Sequence, residues 1–280
     1  VKVFSVVIPT YNSEKILSYT LESLIQQSLD VNQFEVIVCD DGSSDNTKEC
    51  VKSYRSQLDI HYLFQEDKGF RAARARNMGL NKAVGKNIFF LDSGVILERA
   101  ALQQHATALS SQSHDINIGF CHGFEEFEST ENEYLKLIEL LDFVTVFKRL
   151  SGARDAVDCR QRLLKEIGHK NGFIAHPWLM FWGGHLSCST ELLKSVDGFD
   201  EKFTRWGGED VELGLRLYRE GHRFSLLEDA LAYHIPHQKV ESATPQTSHD
   251  NCHYIHNKHQ LALTRRMLTE DWQTIIRSVA

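Results

Sequence analysis

Arg205-Trp206-Gly207-Gly208-Glu209-Asp210-Val211-Glu212 sets three carboxylates directly behind a glycine pair. Glycine leaves the backbone bare and free to turn sharply, so a substrate can come close to a carboxylate acting as a general base. The same residues also fit a plain turn followed by the acidic first turn of a helix, where Asp and Glu suit the macrodipole. The spacing of Leu213, Leu215, Leu217 and Tyr218 predicts that helix in either reading. Asp92, in Phe90-Leu91-Asp92-Ser93-Gly94, closes an apolar run; there it can bind a hard divalent cation or simply form an Asx turn. His234-Ile235-Pro236-His237 offers two imidazoles suited to Mn or Zn, or two turn histidines. Lys68, Arg71, Arg74 and Arg76 form the densest basic cluster, fit for phosphate or for a solvated face. Cys252, His253, His256 and His259 lack the paired spacing of structural zinc sites and read as a solvated helical face.

These residues need a frame to position them. Phe4–Ile8, a β-branched run, and Phe34–Cys39 and Asn87–Leu91 read as strands buried on both faces. A short strand at 60–64 and helices opening at Ser13-Glu14, at 47–57 and at 71–84 alternate with them, which predicts βαβ units and an open, doubly wound sheet. Ligands of such sheets bind beyond the carboxyl ends of the strands. That rule selects 9–12, 40–43 and 92–94, all polar or turn-forming. Beyond residue 98 the spacing predicts a helix over 98–110, strands over 117–122, 181–188, 224–227 and 230–234, and a helix-compatible close over 257–278.

The 280 residues, 42% hydrophobic and 25% charged, are enough for a substantial core. A net charge of −7 argues against nonspecific nucleic-acid binding, and no apolar run is long enough to span a membrane. Six scattered cysteines without a CxxC pair point to reduced thiols and a cytoplasmic setting. Neither a GxGxxG nor a P-loop nor a GxSxG elbow is present, against dinucleotide oxidoreductases, P-loop NTPases and α/β-hydrolases.

Taken together, the motifs resemble the family 2 glycosyltransferases of the GT-A fold. Ser5-Val6-Val7-Ile8-Pro9-Thr10-Tyr11-Asn12, Val38-Cys39-Asp40-Asp41-Gly42-Ser43-Ser44-Asp45 and Ala75-Arg76-Asn77-Met78-Gly79-Leu80 through Asp92-Ser93-Gly94 match the N-terminal motifs. Phe181-Trp182-Gly183-Gly184, Asp197-Gly198-Phe199 and Trp206-Gly207-Gly208-Glu209-Asp210 resemble the part shared by β-1,4-galactosyltransferases and chondroitin-polymerase-type enzymes. The resemblance implies an α/β fold with a Rossmann-like, open, mostly parallel sheet flanked by helices. It implies one domain over 1–280: a nucleotide-binding half at 1–98, an acceptor and catalytic half at 99–238 and a helical tail at 239–280. It further implies an inverting transfer from a nucleotide-diphosphate sugar, a UDP-sugar, to a carbohydrate, small-molecule or peptide acceptor. Pro9, Tyr11 and Asp41 would hold the nucleotide, with Asp40 and Arg76 close by. Asp92 would be the first carboxylate of the DxD motif, holding Mn or Mg with His234 or His237. Asp210 would be the base, Glu209 and Trp206 would shape the acceptor side, and Gly183-Gly184 would lie against the donor sugar. Gly94 departs from the motif, which expects a carboxylate there. A noncatalytic sugar-nucleotide or glycan-binding module on the same scaffold is the alternative.

Overall fold

Mostly apolar segments, rich in Val and Ile in the first two and in Phe in the third, bury both faces of strands β1 (Phe4–Thr10), β2 (Phe34–Asp40) and β4 (Asn87–Leu91). The computed structural model describes residues 2–111, 114–123, 142–152, 157–168, 174–235 and 245–279. β1 pairs in parallel with β2 and β4, and β2 with β3 (Ile60–Phe64). With β5 (Val95–Leu97), β6 (Ile116–His122), β7 (His185–Ser189) and β8 (Phe224–His234) they form one sheet of order β3-β2-β1-β4-β7-β6-β8-β5.

Alternate residues of each strand feed opposite cores, as the two-residue period requires. Val6, Val36 and Phe89 pack under α1 (Glu14–Ile25), α2 (Thr47–Ser53) and α4 (Ala101–Ser110). Val7, Ile37 and Phe90 pack under α3 (Ala72–Lys82) and the later helices. Each fully buried side chain of this size stabilises the fold by roughly 1.5–3 kcal/mol. Gly79 lets α3 lie close on the sheet: a Cβ there would come 2.4 Å from Val7 Cγ1 and 3.0 Å from Cys39 Sγ. That contact seats Arg76, one turn earlier on the same helix.

The later half departs from simple parallel winding. β7 runs antiparallel between β4 and β6, and the short β5, absent from the expected pattern, pairs antiparallel with β8. The strand expected over 181–188 begins only at His185. Pro177 opens a 3-10 turn at Pro177–Met180, and the glycine pair follows it as a turn. The two short strands expected over 224–234 are one strand, β8, whose register against β6 jumps at Gly119/Phe120. The extra residues include the exposed Glu228 and Asp229, the polar pair that reads as a break in the sequence.

Between the strands lie α5 (Phe143–Gly152), α6 (Cys159–Glu166), α7 (Thr190–Ser195) and α8 (Glu209–Arg219). The C-terminal stretch starts earlier than expected and is broken: α9 (Pro245–His259), α10 (Ala262–Arg266) and α11 (Trp272–Val279). Gln260 ends α9 with a left-handed φ of 52°. No helix among the described residues is long and apolar enough to cross a membrane. All six cysteines are free.

Candidate active site

The first strand-end turns are built from side chains facing their own backbone. Asp40 Oδ1 accepts from the Gly42 and Ser43 amides at 3.0 and 2.7 Å, and its Oδ2 accepts from the Tyr62 hydroxyl at 2.6 Å. Gly42, at φ 99°, turns here where a Cβ would meet the Asp67 backbone at 2.4 Å. Asp41 accepts from Gln65 Nε2 at 2.6 Å, from the Arg71 amide at 2.6 Å and from the Arg71 guanidinium at 3.2 Å. Burial outweighs these bonds and holds the Asp41 carboxyl above the usual range. Tyr11 stands at the mouth, 38% exposed, its hydroxyl donating to Asp67 Oδ2 at 3.0 Å. Pro9 is half-buried in β1, opposite Cys39. Asn12 ties the β1 turn to the β2 turn: its amide donates to Ser43 Oγ and its Oδ1 accepts from the Ser44 amide, both at 2.8 Å.

Asp92 follows β4, and the antiparallel β4–β7 ladder brings the glycine pair to it. The Asp92 amide donates to the Gly184 carbonyl at 3.2 Å. A Cβ on Gly184 would sit 3.1 Å from Asp92 Oδ2, and one on Gly183 would sit 3.0 Å from Arg76 Nη2. Bare backbone therefore leaves space beside both charges. Arg76 joins the two halves: Nη2 donates to Asp92 Oδ1 at 2.8 Å and Nη1 to Glu209 Oε1 at 3.0 Å. Burial alone would lower the Arg76 guanidinium, but Asp92 and Glu209 overcome it and hold the charge firmly. Glu209 Oε2 is buried without a partner among the described residues.

Gly207 and Gly208 both take left-handed φ, 96° and 93°, and Gly208 caps α8. Asp210 is half-buried in the first turn of that helix. Its Oδ2 accepts from the Gly183 amide at 2.9 Å and its Oδ1 from the Val211 amide at 2.7 Å. Enclosure of the carboxyl, then the charge of Glu209, pushes Asp210 up to about 7 against the pull of the Gly183 amide and Arg76. Trp206 is 38% exposed at the tip of the turn.

His234 ends β8 opposite Val95, and the Ile235 amide donates to the Gly94 carbonyl at 2.8 Å, so the histidine strand runs beside the Asp92–Gly94 turn. His237 lies outside the described residues. Gly94 has φ 90°, which a carboxylate-bearing residue adopts only under strain, and its amide donates to Thr20 Oγ1 at 2.9 Å. The backbone conformation here favours the glycine that departs from the DxD motif. Among the described residues, no three His, Cys, Asp or Glu side chains converge as a metal site.

The structure thus gathers Arg76, Asp92, Gly183, Gly184, Glu209 and Asp210, while Pro9, Tyr11, Asp40 and Asp41 line the neighbouring strand ends. Within the basic cluster Arg71 and Arg76 are buried and Arg74 is exposed. His259, assigned to a solvated face by sequence, is instead packed with its ring 2.9 Å from the fully buried Glu212. Gln65, Asn77 and Asn251 were not expected at the site. Asn77 donates to the Phe199 carbonyl at 2.9 Å and accepts from its amide at 2.8 Å. Its place in the third motif was the one available signal.

The sequence matches the family model described as glycosyl transferase family 2 over residues 5–167. The chain belongs to glycosyl transferase family 2. A second model, described as the N-terminal domain of galactosyltransferase, matches residues 170–238, the stretch carrying the glycine pair and the acidic turn. Validoxylamine A glucosyltransferase of Streptomyces hygroscopicus subsp. jinggangensis is 35% identical over 263 residues, covering 92% of this chain and 61% of that protein. Chondroitin synthase of Escherichia coli is 33% identical over 256 residues, covering 88% of this chain and 37% of that one. The chain therefore spans 61% or less of the length of these two relatives. Among solved structures, S. aureus TarS 1–349 in complex with UDP-GlcNAc superposes with a TM-score of 0.70 at 22% identity, covering 96% of this chain and 70% of that one. The mannosyltransferase PcManGT from Pyrobaculum calidifontis, in complex with GDP-Man and Mn2+, superposes with a TM-score of 0.56 at 17% identity, covering 99% of this chain and 67% of that one. Both likenesses concern the fold, which is that of the GT-A glycosyltransferases.

Proposed function

We propose that this family 2 glycosyltransferase chain moves a sugar from a UDP-sugar to a hydroxyl-bearing acceptor with inversion, using Asp210 as general base. One observation carries the reading: Arg76 grips Asp92 with one nitrogen and Glu209 with another, so the strand-end carboxylate and the helix-start acidic pair face one space. In the proposed reaction the acceptor oxygen attacks the anomeric carbon, Asp210 takes its proton, and the bond from that carbon to the diphosphate breaks. The raised affinity of Asp210 for a proton suits a base working near neutrality. Glu209, whose Oε2 is buried without a partner among the described residues, would shape the acceptor side. Trp206 would offer the acceptor an apolar face, and Gly183-Gly184 would let the donor sugar lie on backbone.

On the donor side, Tyr11 and Pro9 would flank the base, and Asp41, held by Gln65 and Arg71, would meet the nucleoside. Asp40 would act by fixing the turn, since both its oxygens already hold neighbouring groups. Asp92 would hold a divalent cation, Mn or Mg, with His234 or His237. That cation would neutralise the charge developing on the departing diphosphate. The division into a nucleotide half at 1–98, an acceptor half at 99–238 and a tail at 239–280 belongs to the same proposal, as does a reducing, cytoplasmic setting, which the free cysteines support.

A thermal-shift panel of UDP-, GDP- and dTDP-sugars, with Mn and with EDTA, followed by transfer assays on p-nitrophenyl glycosides, tests the reading. Stabilisation by one UDP-sugar, and transfer lost in EDTA and restored by Mn, are the expected results. Full activity in EDTA would reject the metal, and equal shifts from every nucleotide sugar would reject the UDP donor.

A further inference from the structure

Residues 239–280 lie beyond both matched family models, yet α9 of this tail touches the acidic turn along its length. Asn251, 8% exposed, directs its side-chain amide at three consecutive carbonyls: Arg205 and Trp206 at 3.2 Å each and Gly207 at 2.6 Å. Carbonyls only accept, so the group facing them must be the NH2. These carbonyls precede a helix and flank two left-handed glycines, so no regular structure engages them. The contact continues on the same helix face. A Cβ on Gly208 would lie 3.2 Å from Ile255 Cδ1, and the ring of Phe203 meets Tyr254 edge-on at 5.1 Å. Tyr254 and Lys258 donate to Asp200 at 2.7 and 2.6 Å, and Lys258 and His259 close on Glu212. One helix therefore fixes both ends of the segment that carries Trp206, Glu209 and Asp210.

We propose that Asn251 is a positioning residue for the acceptor side: by holding the Arg205–Gly207 carbonyls it sets the turn, and through the turn Trp206, against which the acceptor binds. The inference rests on the reading of Trp206 and Asp210 given above. The donor side, built on β1, β2 and β4, has no part in this clamp. Loss of Asn251 should therefore separate acceptor from donor binding.

The test compares the whole chain carrying Asn251→Ala, Asn251→Asp or the milder Asn251→Ser with the wild type and with Asp210→Asn. Amide hydrogen exchange over residues 203–211 is expected to quicken about tenfold in Asn251→Ala, the scale of one lost hydrogen bond. Asn251→Asp should quicken it further, because lone pairs would then face lone pairs. With the UDP-sugar and p-nitrophenyl glycoside giving the fastest wild-type transfer, the acceptor KM should rise about tenfold while donor KM and kcat stay within about twofold, since Asp210 and Glu209 keep their own contacts to Gly183 and Arg76. A helix that merely supports the fold would lower Tm and kcat together and leave both KM values alone. That pattern, or unchanged exchange over 203–211 in all three variants, overturns the proposal. If Asp210→Asn transfers like the wild type, the reading of the base fails, and the exchange data still decide the clamp.

Discussion

The turn after β2 and the acidic turn at the start of α8 hold their carboxylates by different means. The side-chain partners of Asp40 and Asp41 lie 2, 3, 22, 24 and 30 residues away, mostly in the turns that follow β2 and β3. Glu209 is held by Arg76 across 133 residues, the turn after Asp197 by Asn77 across 122, and the acidic turn by Asn251 across 44 to 46. Parallel strands with short connections bring the proposed donor-side residues together through contacts closer in sequence. The proposed acceptor side rests on contacts between residues far apart in the chain, so its geometry is exposed to damage from far away.

The largest expected effect probes the acceptor half directly. Asp210→Asn can keep only one of the two backbone amides that donate to the carboxylate, because its NH2 group donates, and it cannot take a proton, so transfer should fall by about 10²–10⁴-fold. Its UDP affinity, read by calorimetry, should stay within about twofold of wild type if the two halves are separable; a matching loss of UDP binding would erase the contrast. In the wild type, transfer should rise with pH through about 7, because only the ionised carboxylate is a base. Stability has the opposite sign. A folded carboxyl that binds its proton more tightly than the unfolded one stabilises the fold at low pH, and that contribution is lost as pH rises from the ordinary Asp value to about 7. The Tm of Asp210→Asn should therefore fall less than that of the wild type between mildly acidic and mildly alkaline pH, and an equal fall in both would reject the shift.

Next comes the link between the halves. Arg76→Met leaves Glu209, 8% exposed, and the less buried Asp92 without their cation. Urea unfolding should show a loss of roughly 3–5 kcal/mol, the range for breaking a buried pair from one side. A loss below about 1 kcal/mol would mean that the halves are not joined here. Smaller still, Gly94→Ala forces a side chain into a left-handed conformation and should cost about 1–2 kcal/mol. An unchanged unfolding midpoint would show that the turn relaxes freely and that a carboxylate could be accommodated. At the bottom of the scale, Arg205→Ala breaks the ion pair with Asp250, in which both side chains are solvated at 59% and 42% exposure. The change should stay within about 0.5 kcal/mol, since exposed pairs contribute little. A large loss would instead make the turn's outer edge a second clamp beside Asn251.

Much of the fold over residues 1–98 was legible because its signals are local. The runs at Phe4, Phe34 and Asn87 start the strands they predict, and 60–64 coincides with β3. Strand-end turns could be read as ligand sites because polar residues there follow buried apolar runs. The acceptor half was harder. β7 inserts antiparallel, an arrangement its five residues do not encode, and Glu228-Asp229 read as a break where the register of β8 shifts. His259 looked solvated because the buried partner that claims it, Glu212, is 47 residues distant.

By itself the sequence determined the strand runs, the order of the motifs and the identity of the acidic pair after two glycines, since these rest on period, turn chemistry and residue type. Only the tertiary structure decided that Arg76 spans Asp92 and Glu209, that Gly183 holds Asp210, and that a tail outside the matched motifs grips the Trp206 turn. Hydrogen bonds between residues far apart in the chain depend on sheet order and helix docking, and those emerge from the packing of the whole core.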